Sequence, residues 1–297
     1  MSPPLPAILC LHGSGTSSEI FQIQTIRLRR ELSDRFSFVF VNAPFETEPG
    51  PGVLPVFADV GPYYTWVDPR PSSPPPSSLE RRDDEADKNG KGGDGNGAEQ
   101  SAQRVARLSK QRGRSQLMPP RTVEVIEEAV RRQVEKDGRG FVGVLGFSMG
   151  ARLAAGLVLE QQQQQQAVKK QGVSVQNGDG DNDVDVPNGE RQETTFKFSV
   201  SICGTFPPIT RLHDLIDHED PARDKITLSQ IEIPALHILG LKDPWFTQGE
   251  LMATTHFSPA TRSVRRLDMG HHLPVQKEDN MVLVNGILDM ARKTGVL

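Results

Sequence analysis

Five short, mostly apolar runs constrain this chain more than any other feature. They are AILCLHG, FSFVFVNAP, FVGVLGF, FKFSVSICGTF and IPALHILG. A half-exposed strand alternates apolar and polar side chains; a run that is apolar throughout fits a strand covered on both faces. Helical patterns lie between the runs. One spans roughly Glu19 to Leu32, with Ser18 as its cap and Phe21, Ile23, Ile26 and Leu28 as its apolar residues. A second, PPRTVEVIEEAVRRQVEKDG, has Pro at its start, Val123, Ile126, Val130 and Val134 on one face, and Gly138 at its end. A third begins near Met149, and KEDNMVLVNGILDMARKTG is the last; RSVRRLD before it reads as a sixth strand. Strands alternating with helices predict an α/β fold: a mostly parallel central sheet with helices on both faces. In such sheets ligands bind at the carboxyl ends of the strands.

Two segments break the pattern. Residues 69–116 hold PRPSSPPPSS and DKNGKGGDGNG, and residues 161–194 run from six glutamines (Gln161 to Gln166) into NGDGDNDVDVPNGE. Such compositions bury too little apolar area to offset chain entropy, so both read as disordered insertions, with the first glutamines able to extend the preceding helix. The pieces between them are too short for separate cores, which predicts one domain over 1–297. The net charge of −4 gives no reason to expect a nucleic-acid partner. Cys10 and Cys203 both fall in apolar runs and read as buried free thiols of a cytoplasmic protein. The first residues lack a basic stretch and make a poor signal peptide, and no run of 18 apolar residues could span a membrane.

The third run ends in Gly146-Phe147-Ser148-Met149-Gly150, a G-x-S-x-G pattern at a strand-to-helix junction. A nucleophilic serine needs that spacing, because small neighbours let the backbone pass closely through a sharp turn. The bland alternative is an ordinary Gly/Ser turn. Two further placements decide between them. Asp243 follows the fifth strand, and His271 and His272 follow the sixth, which is the order serine, acid, histidine of the α/β-hydrolases. Asp243-Pro244 could instead simply start a turn. Asp214, Asp217 and Asp220 read as solvated charges, Asp268 as a strand-end cap, and His237 as a packed core residue. The remaining histidines (His12, His213, His218 and His256) are scattered and suggest no metal site. Two N–H donors for an oxyanion are expected at Met149, after the serine, and at Ser14, in the LHGSG loop after the first strand; alternatively, that loop only turns the chain. Tyr64, Trp66 and Trp245 are candidate pocket walls, or else cover for the sheet.

Taken with LHGSGTSSEIFQIQTIRLRREL, FSFVFVNAP, YYTW, GFSMGARLAAGL, ICGTFPP, HILGLKDPW and GHHLP, the chain resembles the fungal serine hydrolase (FSH) family of the α/β-hydrolases. The resemblance covers all but the two low-complexity segments. It implies an α/β-hydrolase fold and a cytosolic esterase or thioesterase that uses no metal or organic cofactor. The histidine that follows Gly and stands three places before Pro maps to His271. Substrates implied are a small acyl ester or an acyl thioester on a carrier protein, with a polyketide synthase of fungal secondary metabolism as partner. The family often has Gln where this chain has Met149, and Gly-Gly where it has Met269-Gly270. The competing expectation is a non-catalytic protein of the same fold that binds an acyl ligand or partners a synthase.

Overall fold

The structure is a computed structural model, and it describes residues 3–69, 116–174, 194–211 and 230–297. Six strands form the central sheet: β1 (Ala7–Leu11), β2 (Ser37–Val41), β6 (Phe141–Phe147), β7 (Phe198–Ile202), β9 (Ala235–Gly240) and β10 (Arg262–Leu267). Their spatial order is β10-β9-β7-β6-β1-β2 and every pairing is parallel. All six carboxyl ends therefore lie along one edge. Small pairs flank the sheet: β3 (Phe45–Thr47) with β4 (Tyr63–Thr65), antiparallel, and β5 (Gln116–Leu117) with β8 (Ile209–Thr210), parallel.

The helices are α1 (Ser18–Gln24), α2 (Ile26–Leu32), α3 (Pro120–Asp137), α4 (Met149–Ser174), α5 (Phe246–His256) and α6 (Lys277–Lys293). They sort into two layers, and β1 shows how. Ala7, Leu9 and Leu11 join the core under α3, α4 and α5, while Ile8 and Cys10 join the one under α1, α2 and α6. Each fully buried large apolar side chain contributes about 1.5–3 kcal/mol. A strand apolar at every position is what a sheet covered on both faces requires. With the serine turn after β6, this is the α/β-hydrolase fold.

Local details depart from the sequence expectations. The first helix is two, broken at Thr25, whose hydroxyl donates to the Phe21 carbonyl at 2.7 Å. Such back-bonding competes with the helical ladder. The break leaves Ile23 and Ile26 exposed and buries Ile20, Phe21, Leu28 and Leu32 instead. The cap is Ser17, not Ser18; its hydroxyl accepts the Ile20 N–H at 3.2 Å. In α3, Pro120 at the start and Gly138 at a left-handed end stand as expected. Its buried face is rotated to Thr122, Ile126, Ala129 and Gln133, with Val123 and Val130 packed at the margin. The helix α4 runs through the glutamines to Ser174, so the low-complexity segment is helical over 161–174. Gln161 accepts the Phe196 N–H and Gln162 the Glu232 N–H, which is why this stretch is held. The rest of that segment, nearly all of residues 69–116, His213, Asp214, Asp217, His218 and Asp220 lie outside the described residues. Among the described residues, no helix is long and apolar enough to cross a membrane.

Candidate active site

The apolar strand β6 delivers Ser148 to the carboxyl edge of the sheet, where the chain reverses into α4. Ser148 has φ of 54°, a left-handed conformation that costs an L-residue about 1–2 kcal/mol. The glycines around it are there for clearance. A Cβ at Gly146 would run into the Gly150 carbonyl, and one at Gly150 into the Leu11 and His12 carbonyls of β1 and its loop. The turn is fixed by the Ser148 N–H, which donates to the Ile202 carbonyl at 3.0 Å.

Asp243 follows β9 and His271 follows β10, and the two loops are joined by the Lys242 N–H donating to the Met269 carbonyl at 3.0 Å. The His271 ring bridges the gap between acid and serine. Its Nδ1 lies 2.8 Å from Asp243 Oδ2, and its Nε2 lies 2.9 Å from Ser148 Oγ. The carboxylate can only accept, so Nδ1 donates and Nε2 is left to accept the serine hydroxyl proton. The Asp243 side chain is almost fully buried, and its second oxygen accepts the Trp245 N–H at 2.8 Å. The imidazole is held between two rings, Trp245 at 4.5 Å and Phe147 at 5.0 Å between centroids. His272 takes no part in this chain. It is exposed, its Nδ1 donates to the Leu273 carbonyl at 2.8 Å, and its Nε2 accepts the Gly270 N–H at 3.3 Å.

Cys203 also sits here, at the end of β7 with φ of 47°. Its Sγ, a carboxylate oxygen of Asp243 and a ring nitrogen of His271 lie within 4.8 Å of one another, a set that could in principle hold a metal. Burial, and next the Asp243 carboxylate, push the thiol far up from its ordinary value. Cys10 is likewise buried and free.

The LHGSG loop leaves β1 beside the serine; a Cβ at Gly13 would stand 3.2 Å from Ser148 Cβ. Among the described residues, neither the Ser14 nor the Met149 N–H has a hydrogen-bond partner. Both donors are therefore unspent. The loop is pinned by His12, which sequence reasoning left among the scattered histidines. Its Nε2 accepts the Ala43 N–H at 3.0 Å and its Nδ1 lies 2.7 Å from the Gly13 carbonyl.

Of the three aromatic residues read as pocket walls or as cover for the sheet, Trp66 is cover. Trp66 is fully buried, with its indole N–H donating to the His12 carbonyl at 2.7 Å and its ring against the His12 ring. It supports the loop from beneath and offers nothing to a ligand. Tyr64 is half-buried, and its carbonyl accepts the Gly15 N–H at 2.9 Å. Trp245 is half-buried against His271. His237 is a buried core residue, and Asp268 is a surface partner of Lys242.

The sheet order and the strained serine turn define an α/β-hydrolase. Within that class the chain belongs to the family described as Serine hydrolase (FSH1), whose model matches residues 1–283. It is 30% identical over 312 residues to a probable esterase, tazC, of Aspergillus terreus, covering 99% of this chain and 95% of that one. It is 28% identical over 296 residues to the thioesterase FSL2 of Gibberella zeae, covering 96% and 92%. The esterase FUS5 of Gibberella moniliformis is 29% identical over 292 residues, covering 97% and 88%. The protein is a serine hydrolase that acts on ester bonds.

Proposed function

We propose that Ser148, His271 and Asp243 are the catalytic triad of a hydrolase that cleaves a carboxylic ester or an acyl thioester. The observation that carries this is the His271 ring spanning Asp243 Oδ2 at 2.8 Å and Ser148 Oγ at 2.9 Å. His271 takes the Ser148 proton as the hydroxyl attacks the acyl carbonyl. Asp243 holds the ring in the tautomer that leaves Nε2 free to accept. The Ser14 and Met149 N–H groups stabilise the oxyanion. His271 then returns its proton to the leaving alcohol or thiol. Water activated by the same ring clears the acyl-enzyme, with no cofactor in any step.

The substrate class follows the resemblance to fungal serine hydrolases: a polyketide-type acyl group, free as an ester or carried as a thioester by a synthase, released or trimmed in secondary metabolism. The thioesterase name of one relative supports the thioester arm. The low-complexity segments are read as insertions in one catalytic domain. The two buried, unbridged cysteines support a cytoplasmic location.

The test is Ser148→Ala in the purified protein, assayed on p-nitrophenyl acyl esters and on acyl-N-acetylcysteamine thioesters. A loss of at least about 10³-fold in kcat is expected. Activity equal to wild type would overturn the triad. A wild-type protein that hydrolyses neither class, and whose Ser148 resists a fluorophosphonate probe, would favour a ligand-binding role on the same fold.

A further inference from the structure

We propose that Thr65 is a positioning residue for the oxyanion site, which it holds together through a hydroxyl chain ending on the Met149 sulfur. The inference rests on the assignment of Ser14 and Met149 as the two N–H donors. Those residues lie on separate pieces of chain, one in the loop after β1 and the other at the first position of α4. An oxyanion site works only if its donors are held at a fixed separation, aimed where charge develops.

Thr65, the last residue of β4, reaches both pieces. The Ser14 hydroxyl donates to Thr65 Oγ1 at 3.0 Å, and the Thr65 hydroxyl donates to Met149 Sδ at 3.4 Å. The direction of this chain is forced. A thioether carries no proton, so Thr65 must donate to Met149 and is left to accept from Ser14. Thr65 is buried while Ser14 and Met149 are half-buried, so the middle of the link is shielded from water, which strengthens its hydrogen bonds. The strand that bears it is itself anchored to the loop. The Gly15 N–H donates to the Tyr64 carbonyl at 2.9 Å, and the Tyr64 N–H donates to the Thr16 carbonyl at 2.7 Å.

The β3–β4 hairpin therefore has a task beyond covering the sheet. Its backbone fixes the loop, and its last side chain ties that loop to the start of α4. The arrangement also gives Met149 a use for its side chain as well as its N–H. A thioether in this place ends the chain without requiring a further partner.

The experiment is steady-state kinetics on a p-nitrophenyl acyl ester, with inhibition by a trifluoromethyl ketone, which forms a hemiketal oxyanion on the serine. The variants are Thr65→Val, which keeps the shape and loses the hydroxyl; Thr65→Ser, which keeps the hydroxyl; Met149→Leu, which removes the sulfur; and the double Thr65→Val/Met149→Leu. Loss of one donor costs about 10²–10³-fold in kcat, so a misplaced pair should cost about tenfold. Thr65→Val is expected to lower kcat about tenfold with KM within about twofold, and to weaken the ketone by a similar factor. Thr65→Ser should recover to within about threefold of wild type, and the double variant should be no slower than Thr65→Val alone. The idea is overturned if Thr65→Val keeps wild-type kcat, if Thr65→Ser is as slow as Thr65→Val, or if the losses of the two single variants multiply. Should Thr65→Val not fold, Met149→Leu breaks the chain from its other end, and an unchanged kcat and ketone affinity there would equally overturn it. These outcomes are separable from failure of the triad. Thr65→Val should still be labelled at Ser148 by a fluorophosphonate, whereas failure of the triad would show as retained activity in Ser148→Ala or as a wild type that resists the probe.

Discussion

His12 Nε2 accepts the Ala43 N–H at 3.0 Å, a bond that joins the loop after β1 to the loop after β2. The ring can do so only while neutral, because a protonated Nε2 would face the N–H as a second donor. Burial holds it neutral, pushing the pKa down to about 4 against a smaller opposing effect from the Gly13 carbonyl. His12→Phe keeps a ring over Trp66 but leaves the Ala43 N–H buried without an acceptor. A stability loss of about 1–3 kcal/mol is expected in urea unfolding, together with a lower kcat as the Ser14 donor loosens. Unfolding and kinetics both matching wild type would show that the ring does not hold the loop.

Acid should destabilise this protein well above the usual carboxylate range. Besides His12, burial pushes His256 down to about 4 and His237 down to about 3, the latter helped by Arg262. In the unfolded chain each titrates near 6.5. Between about pH 6.5 and pH 4 the unfolded chain therefore binds protons that the folded protein refuses, and stability falls as pH falls through that window. Each group contributes on the order of 3 kcal/mol once the window is crossed. Among the described residues, both His237 nitrogens lack a partner, and the ring packs edge-on against Phe257. His237→Phe should match or exceed wild-type stability at pH 7 and show a shallower decline toward pH 4.5. Urea midpoints at several pH values measure this; parallel declines in the two proteins would remove His237 from the account.

The chemistry of the site was more legible in the sequence than its supports. Ser148 and Asp243 stand just after two apolar strands and His271 after the more polar sixth, and a parallel sheet sends all strand ends to one edge, so their meeting could be read from order alone. Thr65 could not, because its partners lie 51 and 84 residues away and a threonine in a three-residue strand carries no periodic signal. Trp66 was left open between pocket wall and cover for a related reason. An indole is equally at home in a pocket wall and in a core where its N–H finds a carbonyl, and only the position of His12 decides. The break at Thr25 depends on a side-chain bond to the backbone that an apolar pattern does not record.

Gly150 offers a sharp test of how tightly the serine turn is seated. A methyl group there meets the Leu11 and His12 carbonyls, which are backbone and cannot swing aside as a side chain would. Gly150→Ala should separate β1 from the start of α4, costing more than about 3 kcal/mol or preventing folding. Gly138→Ala makes a useful contrast. It has open space around it, and its φ of 69° brings only the conformational penalty of about 1–2 kcal/mol. Thermal unfolding should rank Gly150→Ala as the more damaging; the reverse order would mean that β1 and α4 do not press together at this point.

The paired histidines differ in what their rings face: His271 meets Asp243 and Ser148, His272 its own loop. Both nitrogens of His272 are engaged within residues 270–273, one as donor and one as acceptor, and the ring is exposed. His271 has the same chemistry available, but its two nitrogens face Asp243 and Ser148. His271→Ala should therefore lose at least about 10³-fold in kcat with little change in fold, since the ring is part-exposed and belongs to neither core cluster. His272→Ala removes only two local bonds of the loop and should stay within about tenfold of wild type. The loss in His271→Ala should reside in kcat rather than KM, because in the proposed mechanism the ring acts on the proton of Ser148 and not on the bound acyl group. If His272→Ala were the slower enzyme, the loop would have to turn over in solution, and the base assigned to this site would change with it.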